Sequence, residues 1–183
     1  ANNIFGNMIS LTLMLSAIIV VGGVIFYEPI LAAFGANGDI LPAAKTYFSL
    51  ILPAIPLLAL AMMSNSVIRA EGEPRTAMLV MLVPAFANII MDIIFIKYMG
   101  WGMAGAAWAT SISYASSAGY ALYFFLKGHS EVRIKLQYLK LKLVYVKEIA
   151  SLGGVSLARQ GIISVLSLVL NNALFKYGGS ELY

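Results

Sequence analysis

Five long stretches of this sequence contain almost no charged residues. They run from about Met8 to Ala33, Lys45 to Ile68, Thr76 to Lys97, Met103 to Leu126 and Ile149 to Phe175. Each has at least the roughly 20 residues that a helix needs to cross about 30 Å of hydrocarbon. At this length only a helix satisfies its own backbone groups inside a bilayer. We therefore predict an all-α polytopic membrane protein, built as an antiparallel bundle of transmembrane helices.

The composition excludes most other classes of protein. The sequence is 61% hydrophobic and 11% charged, whereas a soluble domain averages about 25% charged residues. A soluble core could not hide this much apolar surface, so most of it must face lipid. The absence of cysteine and the single histidine, His129, exclude a thiolate nucleophile and a multi-histidine metal site within this chain. We expect neither an enzyme nor a nucleic-acid-binding protein, and no bound cofactor.

Lysine and arginine residues indicate how the bundle is oriented. The segment 127–147 is the most basic one between two stretches, with Lys127, Arg133, Lys135, Lys140, Lys142 and Lys147. Positively charged loops stay in the cytoplasm, so this segment is predicted to be cytoplasmic in a multi-pass protein of the cell (inner) membrane. Counting back, the turn 69–75 is inside, whereas 34–44 and 99–102 are outside. In that inner turn Gly72 permits a left-handed cap and Pro74 starts the next helix.

Prolines and small residues predict where the helices bend and pack. Pro53, Pro56 and Pro84 each remove a backbone donor and should bend their helices, either beside a cavity or as ordinary kinked packing. A stripe of small residues at helical spacing lets another helix approach closely. It consists of Gly105, Ala109, Ser113 and Ser117.

Asp92 is the most informative single residue, because it lies within a transmembrane stretch. An ionisable group there is a functional hypothesis by default. Asn88 precedes it by four residues, so both side chains share one helix face. The predicted topology puts Tyr47 near the outer end of its stretch and Thr110 about two turns into its own. All four residues should therefore lie at a similar depth in the outer half.

These four side chains carry oxygen atoms, which suit a hard cation or a proton. Asp92, Asn88 and Thr110 could hold a sodium ion, or Asp92 could hold a proton in a desolvated setting. Two structural alternatives remain open for Asp92, namely a hydrogen bond or an ion pair with Lys97. Tyr47 could equally be an interfacial aromatic residue.

Three blocks of sequence resemble one transporter family. They are NSVIRAEGEPR at 65–75, NIIMDIIFI at 88–96 and GWGMAGAAWAT at 100–110. Their order and spacing resemble the multidrug and toxic compound extrusion (MATE) family. The resemblance implies helices three to seven of a two-lobe, twelve-helix transporter. Residues 1–126 would be four helices of the N-terminal lobe, 127–147 the cytoplasmic connector, and 148–183 the first helix of a C-terminal lobe that continues beyond this chain.

The resemblance also implies an activity. MATE proteins export cationic and amphiphilic compounds in exchange for sodium ions or protons, and Asn88, Asp92, Thr110 and Tyr47 match a cation site of one branch. That site also uses an Asp on helix one, before Ala1. The glutamate of another branch has no counterpart around Ser164. We expect an antiporter for drug-like molecules, working as a monomer among lipids, with the substrate and the coupling ion left open. The alternative is a lipid-linked oligosaccharide flippase, which should have several cationic residues in its cleft; only Arg159 is a candidate.

Overall fold

The described part of the chain is helical, as predicted. A computed structural model describes residues 2–34, 41–127, 130, 132 and 138–177, with side chains up to residue 173. Its α-helices are α1 Asn2–Ile25, α2 Tyr27–Ala33, α3 Leu41–Ile51, α4 Ile55–Ala70, α5 Pro74–Asp92, α6 Gly102–Leu126 and α7 Leu143–Tyr177. A 3-10 segment, Leu52–Ala54, joins α3 to α4, and a π-helical turn, Ile93–Tyr98, extends α5. Within these residues there is no strand, which confirms the all-α prediction.

Four of these helical segments are long and apolar enough to cross a membrane. Among the residues described, they are Asn2–Ile25, Leu41–Ala70, Pro74–Tyr98 and Leu143–Ala173, so the chain is a multi-pass membrane protein. The fourth predicted span, Met103 to Leu126, corresponds to α6, whose 25 residues give a length of about 37 Å. It is rich in small and hydroxyl residues, and it contacts α3, α4 and α5 at the centre of the bundle. Small and hydroxyl side chains serve that packing role better than large apolar ones.

Pro29 ends the first span earlier than expected. The sequence suggested a continuous stretch to Ala33, but α1 ends at Ile25. A proline ring clashes with the carbonyl four residues back, which here belongs to Ile25. Just past this break, Glu28 accepts a hydrogen bond of 2.9 Å from Lys45 at the start of the next span. This hydrogen bond, together with the lysine charge, lowers the pKa of Glu28.

The other prolines act differently according to their position. Pro53 lies in the 3-10 segment and Pro56 in the first turn of α4, so the α-helix of the second span is interrupted where the sequence predicted bends. Pro84 stays within a continuous α5 and is buried. At the turn between α4 and α5, Gly72 has a φ of 83° and Pro74 is the first helical residue. Both predictions for this turn are confirmed.

The small-residue stripe of α6 is its packing face. Gly105, Ala109, Ser113 and Ser117 are all buried. The Ser117 hydroxyl donates a hydrogen bond of 2.8 Å to the carbonyl of Val80 in α5. Because these four residues are small, α5 and α6 can lie close together, as the packing interpretation predicts.

The largest apolar core lies at the end of the bundle that we predict to be cytoplasmic. Phe5, Ile68, Phe124 and Phe125 are buried there. The rings of Phe5 and Phe125 lie 4.8 Å apart between centroids. This core ties the start of α1 to the ends of α4 and α6.

The segment before α7 docks on the start of α1. Asn7 is 1% exposed. Its side-chain nitrogen donates a hydrogen bond of 3.3 Å to the carbonyl of Lys140. Its side-chain oxygen accepts one of 2.8 Å from the backbone N–H of Lys142. A Cβ atom at Gly6 would overlap the Tyr138 carbonyl. The Ser10 hydroxyl donates to the carbonyl of Leu139 over 2.6 Å. The chain therefore approaches α7 along a fixed path.

The domain boundaries predicted from sequence are only partly covered by the described residues. The connector was predicted over 127–147, but α7 already begins at Leu143. His129, Arg133 and Lys135 lie outside the described residues, as does 35–40 of the predicted outer loop. At the far end of α7 the Asn172 amide donates 3.3 Å to the carbonyl of Ala33. Since α7 starts beside Asn7 and ends beside Ala33, it runs in the same direction as α1.

Candidate functional site

Asp92 is the last residue of α5, directly before the π-helical turn. Its carboxylate atom Oδ1 is buried and has no hydrogen-bond partner among the described residues. A buried polar atom left unpaired costs about 1–3 kcal/mol, so such an atom calls for a ligand, water or a further partner. Within the described residues the ion pair present is Lys45 with Glu28. The alternative of an ion pair between Asp92 and Lys97 is therefore not supported.

Asn88 and Thr110 meet across the interface between α5 and α6. The Asn88 side-chain amide donates to Thr110 Oγ1 over 3.5 Å, and that hydroxyl donates to the carbonyl of Ala106 over 2.9 Å. The Thr110 hydroxyl thus bridges two helices, because it donates a hydrogen bond within α6 and accepts one from α5. Asp92 lies four residues after Asn88, about 6 Å further along the same helix face.

Tyr47 lies on α3, which also packs against α6. It is half-buried in α3, and among the described residues no hydrogen bond joins it to Asp92, Asn88 or Thr110. Its phenol interacts electrostatically with that of Tyr114, four residues after Thr110. The structure therefore brings Asn88 and Thr110 into contact, with Asp92 one turn further along α5.

A cavity of about 450 Å³ opens between α4, α5 and α6. Asn88, Thr110 and Tyr114 line one end. At the other end, Arg69 donates 2.6 Å to the Asn65 side-chain oxygen, whose amide nitrogen in turn donates 2.5 Å to a backbone carbonyl of α5. The walls between are largely apolar, with Leu58, Met62, Met81 and Pro84. Asp92 and Tyr47 do not line this cavity.

The donor set suits an exchangeable hard cation or a proton. Asp92, Asn88 and Thr110 offer one carboxylate, one amide and one hydroxyl, all of them oxygen ligands. Among the described residues no group of three or more His, Cys, Asp or Glu side chains is close enough to hold a metal ion. A single carboxylate binds a cation weakly enough to release it, and a bound ion would complete its shell with water or with groups outside these residues.

Sequence reasoning did not single out three features of the structure. Tyr114 follows Thr110 by one helical turn, and that spacing alone could have added it to the predicted set. Asn7 is a polar residue at the start of an apolar helix, which is a signal for a buried hydrogen bond. The π-helical turn has no such signal, because IIFIKY at 93–98 is equally compatible with an α-helix.

Comparison with known proteins identifies the family. The profile of the MatE family matches residues 1–94. The chain belongs to the MatE family. This confirms the resemblance carried by the three sequence blocks. A MatE relative, the multidrug export protein MepA of Staphylococcus aureus (strain bovine RF122 / ET3-1), is 28% identical over 164 residues, which cover 90% of this chain and 36% of MepA.

Solved transporter structures share the fold of this MatE chain. A MOP superfamily transporter from Pyrococcus furiosus, described as having a binding pocket of reverse polarity that suggests a different function, is 28% identical with a TM-score of 0.86, over 98% of this chain and 40% of that one. A multidrug resistance MATE transporter in an outward-facing conformation is 28% identical with a TM-score of 0.75, over 82% of this chain and 34% of that one. The chain spans well under half the length of these relatives.

Proposed function

We propose that the full-length MatE protein is a secondary active antiporter that exports cationic or amphiphilic compounds in exchange for sodium ions or protons. The observation that carries this proposal is the buried, unpartnered Oδ1 of Asp92, one helical turn from the Asn88–Thr110 pair. The multidrug export activity named for MepA supports the same class of substrate. We also propose a monomer in the cell membrane, with the segment before α7 on the cytoplasmic side.

Coupling requires that the ion prefers one conformation of the transporter over another. An ion can shift an equilibrium only by its difference in affinity for the two states. Asp92 and Asn88 lie on α5, whereas Thr110 lies on α6, so a small movement between these helices changes the coordination of a bound ion. A cation or proton at Asp92 would stabilise the state in which the three groups converge, and its release would favour the other state.

The cavity between α4, α5 and α6 suits one part of an amphiphilic substrate. Its volume of about 450 Å³ lies within the range of roughly 300–1,000 Å³ typical of ligand pockets. Its walls are apolar and its polar groups lie at two ends. Because Arg69 occupies one end, a cationic group would be favoured at the end lined by Asn88 and Thr110. A single guanidinium in the described lining does not favour the flippase alternative, which calls for several cations.

Removing the charge of Asp92 tests the proposal. We expect Asp92→Asn in the full-length protein to abolish gradient-driven drug efflux in vesicles, because the amide can neither bind a proton nor balance a cation. Sodium and pH gradients are imposed separately, so the gradient that drives the wild type identifies the coupling ion. Glu148→Gln, which removes an exposed carboxylate on α7, is the matched control and should transport normally. Full gradient-driven efflux by Asp92→Asn would refute the assignment.

A further inference from the structure

The outer end of α5 departs from α-helical geometry directly after Asp92. In the π-helical turn Ile93–Tyr98, the Met99 N–H donates 2.9 Å to the Ile94 carbonyl, five residues back. The Trp101 N–H then donates 3.0 Å to the carbonyl of Phe95, six residues back. The π-helix is rare and occurs mostly as single turns within α-helices, frequently at functional sites. Neighbouring contacts must therefore stabilise this turn.

Three residues, which we call the outer clasp, hold the turn in place. They are Phe95, Trp101 and Gly105. The rings of Phe95 and Trp101 stack with centroids 5.3 Å apart and planes 20° from parallel. A Cβ atom at Gly105 would lie 3.1 Å from the backbone carbonyl group of Phe95, so an alanine at this position would push the turn away from α6 by a few tenths of an ångström. Gly100 and Gly102, with φ of 68° and 53°, allow the chain to reverse between them.

The outer clasp fixes α5 on one side of Asp92, and Thr110 fixes it on the other. Phe95, three residues after Asp92, is pressed against Gly105 of α6. Asn88, four residues before Asp92, is hydrogen-bonded to Thr110 of the same helix. Asp92 thus lies between two anchor points on α6, and the widened turn between it and Phe95 decides how its carboxylate faces the Asn88–Thr110 pair.

We infer that Phe95, Trp101 and Gly105 are positioning residues for the coupling ion, acting through Asp92. By holding the π-helical turn against α6, they set the distance between the Asp92 carboxylate and the Asn88–Thr110 pair, and with it the affinity for the ion. The inference rests on the proposed function, since it concerns the same ion. None of the three residues needs to contact the ion or the drug.

The test separates ion activation from drug recognition in the full-length protein. Gly105→Ala and Trp101→Ala should each raise the concentration of coupling ion that gives half-maximal efflux by about tenfold, the effect typical of losing a group that orients a ligand. The drug KM at saturating ion should not change, because the clasp lies outside the cavity lining. Trp101 is 45% exposed, so its replacement leaves the core of the bundle intact.

Two variants serve as matched controls. Gly119→Ala makes the same substitution on the same helix where a Cβ atom has nothing within 4 Å, and it should activate like the wild type. Trp101→Phe keeps a ring for Phe95 to stack on and should restore most of the ion affinity lost in Trp101→Ala. Wild-type ion activation in both Gly105→Ala and Trp101→Ala would overturn the inference, as would a rise of the drug KM in step with the ion constant.

Asp92→Asn, measured alongside, distinguishes the two proposals. If Asp92→Asn loses ion-driven efflux while the clasp variants respond to the ion normally, the outer clasp has no positioning role and the proposed function stands. If Asp92→Asn remains ion-driven, the proposed function fails and the inference fails with it.

Discussion

At the scale of single residues, the candidate site depends on one hydroxyl that serves two helices. Thr110 donates to the carbonyl of Ala106 in its own helix and accepts from the Asn88 amide. Its oxygen therefore fixes the rotation of Asn88, which shares a helix face with Asp92. Loss of the hydroxyl would leave the Asn88 amide without this acceptor, at a cost of about 1–3 kcal/mol if the group stays buried.

This argument predicts a graded effect at position 110. Thr110→Val should weaken ion activation of efflux by about tenfold, since 1.4 kcal/mol is a factor of ten in a binding constant. Thr110→Ser, which keeps the hydroxyl, should stay close to the wild type. Ion titrations of efflux measure both, with Ser116→Ala as a control because that hydroxyl bonds only within an exposed part of α6. If the valine and serine variants need the same ion concentration for half-maximal efflux, the bridging role of the Thr110 hydroxyl is contradicted.

The residues of the site were predictable to different degrees. Asn88 and Asp92 follow from their spacing, because residues four apart on a helix share a face. Thr110 followed from depth alone, and its bond to Asn88 agrees with that placement. Tyr47 has a similar predicted depth but makes no hydrogen bond to the other three residues within the described part of the chain, so its role in the site stays a prediction. Counting residues gives a height along the helix and not the direction in which a side chain points.

At the scale of helices, local chemistry sets boundaries that hydrophobicity does not reveal. Each apolar stretch predicted a helical segment correctly, yet Pro29 ends α1 at Ile25 and the Pro53–Pro56 pair divides the second span. The turn that follows α5 is π-helical, and Gly105 of α6 packs against it at Phe95. Such tertiary contacts cannot be read from the sequence of the helix that they reshape.

The contact between α1 and the segment before α7 leaves no room for a side chain at Gly6. Gly6→Ala should lower the melting temperature of the full-length protein, because the added methyl overlaps the Tyr138 carbonyl and such overpacking typically costs about 1–3 kcal/mol. Gly22→Ala on the same helix meets nothing within 4 Å and should be neutral or stabilising, since alanine favours a helix over glycine by about 1 kcal/mol. Thermal unfolding in detergent compares the two. The same shift in both variants would show that the docked segment does not constrain α1.

At the scale of the whole molecule, the chain has more apolar surface than its own helices can cover. On α7, Leu152, Val155 and Leu157 are 75–76% exposed, whereas α6 is enclosed by α3, α4 and α5. Hydropathy alone did not predict that α6 is central, because α6 is not among the four described segments apolar enough to cross a membrane and yet has a long buried face. Its small-residue stripe was the better indicator, since close packing requires small side chains.

This imbalance predicts that residues 1–183 alone are less stable than the full-length protein. The chain covers 36% of the length of MepA. The helices α4, α5 and α6 form only one side of the cavity between them and leave its other side open. We expect the isolated chain to unfold at a lower temperature in detergent than the full-length protein, measured by loss of helical circular dichroism. Identical melting curves would mean that these helices form an independent folding unit.

The hydrogen bonds of Asn7 have a practical consequence for building chimeric transporters. Asn7 binds the backbone of Lys140 and Lys142 and makes no use of their side chains. The sequence of this segment is therefore free to diverge between homologues while the path of the chain is retained. A recombination junction placed after Lys142 takes helices α1 to α6 and the segment docked on α1 from the same parent protein. A junction placed at the end of α6 would set Gly6 and Asn7 against a segment from the other parent.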